Sequence, residues 1–213
     1  DHQVQTGTVI APGGDGALIR VESSTKGLAA ATDGNGRLCY LDPYLGGMIA
    51  VAESCRNVSC TGAEPIALTN CLNFGNPENP EVYFQLENCI KGMAEASDLL
   101  NVPVISGNVS LYNETQGKAI YPTPVVGAVG LMEDVSKASD IGFKDVGDFV
   151  VLLGGNGLLG DVESLAGSEY LDVIHGVVAG LPRIDMIEEV KVQKLVRNLV
   201  NVGIIKSAHD CSE

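Results

Sequence analysis

The densest run of chemistry-bearing residues is Ile105-Ser-Gly-Asn-Val-Ser-Leu-Tyr-Asn-Glu114. It follows the apolar run Val102-Pro-Val-Ile105, which reads as a short buried strand. A strand that stops in Ser106, Gly107 and Asn108 lets backbone come close to a ligand, because glycine puts no Cβ in the way. Ser110, Asn113 and Glu114 add hydroxyl, amide and carboxylate oxygens, a donor set suited to phosphate or a hard divalent cation. A turn selected for stability alone needs only one or two such residues. Asp33, Asn70, Asn73, Asn108 and Glu114 all fall at or near the ends of expected strands. If those strands are neighbours, their ends converge on one rim, where these oxygens could hold magnesium. Each residue alone reads as a turn former; the cluster is what signals a site.

The elements that must position these residues follow from periodicity. Gly16–Glu22 and Gly27–Thr32 read as two strands joined by a turn over 23–26, and Asp33 lies in the loop that follows. Tyr40-Leu-Asp-Pro43 leads into a helix with Met48, Val51, Ala52, Cys55 and Val58 on its buried face. Ile66–Thr69 is a short strand closed by Asn70-Cys-Leu-Asn-Phe-Gly-Asn-Pro77, and a second helix carries Leu86, Cys89, Ile90 and Met93 on one face. The strand into Gly107 and another over Val125–Leu131 complete the order β-β-α-β-α-β-β. Strands alternating with amphipathic helices but opened by a hairpin predict an α+β domain, a mixed sheet with helices on one face. A charge- and turn-rich stretch over 133–148 marks a boundary, giving domains 1–142 and 143–213. The second starts with an apolar strand, Phe149–Leu153, carries a helix with Ile187, Val190, Leu195, Val196, Leu199 and Val202, and reads as a truncated α/β domain.

Composition narrows the function. With 213 residues, 45% hydrophobic and 19% charged, the chain can bury a core. A net charge of −14 argues against nucleic acid as a partner, since no basic surface is available to replace phosphate counterions. No run approaches the ~18 apolar residues of a membrane span. The polar N-terminus has no signal-peptide core and no initiating methionine, so a piece of a longer protein is expected. Six scattered cysteines without a C-x-x-C pair read as reduced core thiols of a cytoplasmic protein.

Several tempting patterns fail on chemistry. Gly155-Asn-Gly-Leu-Leu-Gly160 matches G-x-G-x-x-G after a strand, but no parallel βαβ unit with a placed acidic residue follows it. His209 and Asp210 are adjacent, and neighbours do not orient each other as a catalytic dyad requires. His2 and His175 stand alone, and no Ser-His-Asp or Cys-His set supplies a covalent nucleophile.

Ordered motifs carry a resemblance. Asp1-His-Gln-Val-Gln5, Thr32-Asp33, Tyr40-Leu-Asp-Pro43, Gly62-Ala-Glu-Pro65, Leu72-Asn-Phe-Gly-Asn-Pro77, Ser106–Glu114, Tyr121-Pro-Thr-Pro124 and Ser207-Ala-His-Asp210 occur in sequence. Together they resemble the second half of the formylglycinamidine ribonucleotide synthase family. The resemblance implies an aminoimidazole ribonucleotide synthetase-like α+β domain, third in the parent, followed by the start of a fourth, α/β domain. It implies a purine-pathway ligase that uses ATP, Mg2+ and ammonia from glutamine to convert formylglycinamide ribonucleotide to the amidine. ATP phosphorylates the amide oxygen and ammonia displaces the phosphate, chemistry that depends on positioning and charge neutralisation.

By motif matching, Gly107 is similar to an ATP-contacting glycine, Asn108 to a magnesium ligand and Ser110 to a substrate-binding residue. Asn70 stands where many relatives carry an ATP-contacting aspartate, and Ser106 replaces a common glycine. Asp33 and Asn73 mark a degenerate second site with at most a structural nucleotide. The family's catalytic histidine and most metal carboxylates belong to the first half, so the resemblance implies an inactive fragment. It would work against the N-terminal half of the same polypeptide, with glutaminase and small bridging subunits as partners. Two alternatives stay open: a non-catalytic scaffold or dimerisation module, and another ATP-dependent kinase of the superfamily.

Overall fold

The structure, a computed structural model, describes residues 6–154 and 165–211. The expected hairpin forms from β2 (Ala17–Arg20) and β3 (Gly27–Asp33), and β1 (Thr8–Ile10), which periodicity did not reveal, pairs on its outer side. With β4 (Glu64–Asn73), β5 (Val104–Ser110) and β8 (Thr123–Met132) these strands make one six-stranded sheet in the order β1-β2-β3-β8-β4-β5. Every neighbouring pair is antiparallel except β4 and β5. A small hairpin, β6 (Glu114–Thr115) and β7 (Lys118–Ala119), interrupts the path from β5 to β8.

Two strands run further than their composition suggests. β4 continues through Asn70 and Asn73, and β5 through Ser106, Gly107, Asn108 and Ser110. These residue types favour turns, but β4 pairs with β8 on one side and β5 on the other, β5 at the sheet edge pairs with β4, and this pairing overrides the preference. The polar residues therefore sit within the sheet rather than in loops beyond it.

Two long helices cover one face. In α2 (Pro43–Cys60) the expected stripe of Met48, Val51, Ala52, Cys55 and Val58 is buried. Asp42 caps this helix by accepting from Leu45 N at 2.9 Å, and Pro43 starts it where a missing N–H costs nothing. α3 (Pro80–Leu100) buries Val82, Cys89 and Met93, but Ile90, expected on the same face, is exposed. One position is about 100° of helix rotation, enough to carry Ile90 off the line through Cys89 and Met93. A short helix, α1 (Gly36–Leu41), precedes α2. The helices meet closely: a Cβ on Gly92 would lie 1.9 Å from the Tyr44 carbonyl oxygen. Phe74, Leu18, Leu68, Val51, Val58, Met132 and Val126 fill the space between helices and sheet.

Beyond the sheet, Phe149–Leu153 forms no strand; Phe149 is 95% exposed. A strand needs a neighbour to take its backbone hydrogen bonds, and no described strand lies beside this one. The G-x-G-x-x-G run at 155–160 lies outside the described residues. The segment around Tyr170 is helical, as α4 (Glu169–His175), and Arg37 bridges to its Glu169 and Asp172.

α5 (Met186–Asn201) forms as expected but turns a different side inward. Of the apolar residues it carries, Ile187, Leu195 and Val202 are exposed and Val196 packs against the core. Instead Glu189, Gln193 and Arg197 bond to Arg56, Ser59 and the Ala52 carbonyl. These side chains recur every four residues, so one polar stripe of α5 seats on α2.

Candidate functional site

Parallel pairing of β4 with β5 sets Asn70 opposite Gly107, Cys71 opposite Asn108 and Asn73 opposite Ser110. This register assembles a groove of about 350 Å³ lined by Thr32, Thr69, Asn70, Cys71, Ser106, Gly107, Asn108, Val125 and Gly127. The Asn70 amide oxygen occupies the space beside Gly107, and a Cβ there would lie 2.3 Å from it. Glycine thus lets the Asn70 amide rest there, and a side chain at 107 would displace it. Thr69 and Ser106 share a hydroxyl hydrogen bond of 2.8 Å, and the Asn108 amide nitrogen donates to the Cys71 sulfur at 3.6 Å. That contact leaves the Asn108 oxygen directed elsewhere on an exposed side chain.

Three of the sequence-predicted residues, Asn70, Gly107 and Asn108, therefore share one groove, and Ser110 lies two positions on along β5. Glu114 stands apart in the β6–β7 hairpin. Asn73 spends its amide on the Cys71 and Thr123 carbonyls, at 3.0 and 3.1 Å. Asp33 is separated from it by β8, pairing with Val126 where Asn73 pairs with Thr123. No hydrogen bond links Asp33 to Asn73 among the described residues.

The groove lining offers neutral oxygens and no carboxylate. Magnesium is held through carboxylates, waters and substrate phosphates, so Asn108 fits as one added ligand and the lining does not fit as a complete site.

Carboxylates gather elsewhere. Asp33 Oδ1 accepts from Gly34 N, while its Oδ2 is buried without a hydrogen-bonding partner. Burial, with the neighbouring Glu53 carboxylate adding to it, pushes the Asp33 carboxyl up to about 8. Asn57, one turn beyond Glu53 on α2, also buries an unpartnered amide oxygen. Nearby, Asp15, His209 and Asp210 place ligand atoms within 4.8 Å of one another. His209 Nδ1 lies 2.7 Å from Asp15 Oδ1, and Arg56 binds Asp210 at 3.0 Å and Glu189 at 2.7 Å. The Asp33 expectation thus has neighbours that the sequence reading did not name. Glu53, a carboxylate within the largely apolar run 48–55, was the signal that could have found one of them.

Residues 13–132 match the family model described as AIR synthase related protein, N-terminal domain. The chain belongs to that family. Among sequence relatives of the AIR synthase related domain studied here, the phosphoribosylformylglycinamidine synthase subunit PurL of Moorella thermoacetica is 52% identical over 214 residues, covering 100% of the chain and 28% of the relative. The PurL subunit of Thermomicrobium roseum is 53% identical, with the same coverage. Among solved structures, T. maritima PurL complexed with FGAR has a TM-score of 0.67 at 30% identity, covering 95% of this chain and 28% of that one. T. maritima PurL complexed with ATP has a TM-score of 0.58 at 40% identity, covering 63% and 22%. The chain therefore spans 28% of the length of the curated relatives quoted. No helix among the described residues is long and apolar enough to cross a membrane.

Proposed function

We propose that this chain forms part of a phosphoribosylformylglycinamidine synthase, which amidates formylglycinamide ribonucleotide with ATP and with ammonia or glutamine as nitrogen donor. One observation carries the reading: β4–β5 register brings Asn70, Gly107 and Asn108 into the lining of one groove, the Asn108 amide on the Cys71 side of the sheet. Relatives named for this activity, and PurL structures complexed with ATP and with FGAR, support it.

In this reading residues 1–142 are a synthetase N-terminal-like domain and 143–213 begin a C-terminal-like domain. Asn70 and Gly107 flank the nucleotide, Asn108 contributes one oxygen to Mg2+, and Ser110 contacts the ribonucleotide. Bound ATP and Mg2+ supply the phosphoryl group and neutralise its charge. The protein side chains hold the amide oxygen in line and exclude water, the main sources of rate in phosphoryl transfer. The missing carboxylates come from the N-terminal half of the same cytoplasmic polypeptide, with glutaminase and small bridging subunits delivering ammonia. Asp33, with Glu53 beside it, marks the proposed second place, for at most a structural nucleotide.

A scaffold role is the second reading, favoured by the absence of any carboxylate from the groove lining. The two separate in a full-length polypeptide carrying this chain, assayed for ADP release with ATP, Mg2+ and ammonia, with and without formylglycinamide ribonucleotide. Asn108→Ala is expected to lower substrate-dependent turnover by roughly tenfold or more, the scale of one lost charge-assisted contact. Unchanged turnover in the variant removes Asn108 from the metal site. No turnover from folded wild type supplied with ammonia selects the scaffold.

A further inference from the structure

The loop that follows β5 holds a side chain, Asn113, whose hydrogen bonds bear on Ser110. Its amide nitrogen lies 3.1 Å from the Phe74 carbonyl oxygen, 2.9 Å from the Ser110 carbonyl oxygen and 3.1 Å from Ser110 Oγ. Two of these partners are carbonyls, which only accept, so the amide must present its NH2 group here. The backbone fixes the same arrangement. Asn113 N donates to Phe74 O at 3.1 Å, Phe74 N to Ser110 O at 3.0 Å, and Tyr112 N to Gly75 O at 3.0 Å. Tyr112 is held at φ 60°, a left-handed conformation that a tyrosine keeps only where surrounding bonds over-determine it.

The NH2 group has two hydrogens for these three acceptors, so Ser110 Oγ shares one of them with a carbonyl, and one of its lone pairs faces that N–H. Among the described residues its own hydrogen has only Asn113 Oδ1, at 3.4 Å, long for an O–H···O bond and readily exchanged for a better acceptor. We propose that Asn113 is a positioning residue that makes Ser110 a hydrogen-bond donor towards the substrate, selecting an acceptor oxygen such as that of a phosphate or carbonyl. The inference rests on the reading of Ser110 as a substrate contact. If Asn113 only pins the turn, its loss acts independently of the Ser110 hydroxyl.

The test is a double-mutant cycle in the full-length polypeptide, reading KM for formylglycinamide ribonucleotide, nucleotide affinity and thermal midpoint. Ser110→Ala is expected to raise KM roughly tenfold, the scale of one hydrogen bond to a charged acceptor. Asn113→Ala raises KM in the wild-type background, adds nothing in the Ser110→Ala background, and leaves nucleotide affinity unchanged. If Asn113→Ala does not fold, Asn113→Asp carries the test: its carboxylate draws the hydroxyl hydrogen inward, and KM rises as it does in Ser110→Ala. A penalty of full size persisting in the Ser110→Ala background, or a wild-type KM in Asn113→Asp, overturns the positioning role. A wild-type KM in Ser110→Ala overturns the substrate contact itself, and the two failures are told apart by that single variant.

Discussion

At Asp33 the fold holds a carboxyl that prefers its proton, and the consequence is a pH dependence of definite sign. The group titrates at 3.8 when unperturbed and at about 8 here, so between those values the folded chain binds more protons than the unfolded one. Its contribution is complete below the unfolded value and is lost as pH rises through the folded one. Asp33→Asn removes the titration, and the thermal midpoint of the variant is expected to fall less steeply than wild type between about pH 4 and pH 8. Parallel midpoint–pH curves for the two proteins would falsify the assignment. The same scale shows how much of the site was readable. Asn70, Gly107 and Asn108 were legible as a polar group because short polar residues beside a glycine are unusual around a strand. Glu53 was missed because it lies off the apolar stripe of α2, where a charged residue reads as part of a solvated face, and only packing shows that α2 brings it close to Asp33.

Among the elements, α2 and α3 depend on contact between backbones. The Gly92 Cβ position lies 1.9 Å from the Tyr44 carbonyl, and that of Gly47 lies 2.4 Å from the Cys89 carbonyl. Backbone cannot rotate away as a flexible side chain can, so Gly92→Ala must push the helices apart. Overpacking of this kind costs about 1–3 kcal/mol, and a thermal midpoint lowered by several degrees is expected. An unchanged midpoint would show that the helices separate at no cost. α5 illustrates the converse. Its apolar residues were visible in the sequence, yet Gln193 is buried while Ile187 and Val202 are exposed. The choice was made by α2, where Arg56 and Ser59 offer polar partners to one stripe of α5.

Among the described residues one face of the sheet is uncovered, with Ile19, Leu28 and Val129 exposed there, and the apolar run Phe149–Leu153 is exposed as well. Surface of this kind suits a chain spanning 28% of its curated relatives. We expect the 213-residue chain alone, given ATP, Mg2+, ammonia and formylglycinamide ribonucleotide, to release no ADP that depends on the ribonucleotide. Substrate-dependent release by the isolated chain would show that its groove needs no carboxylates from outside. By itself the sequence determined the hairpin, the two covering helices and the cluster of short polar residues, because periodicity and turn chemistry are local properties. Tertiary structure alone decided that β4 and β5 run on through their asparagines and serines, since the preference of those residues for turns yields only to pairing with a neighbouring strand. It also decided that Asn70 rests against Gly107, and that Asp33 lies by Glu53 rather than by Asn73. Those contacts join residues far apart in the chain, and strand register and helix packing set them.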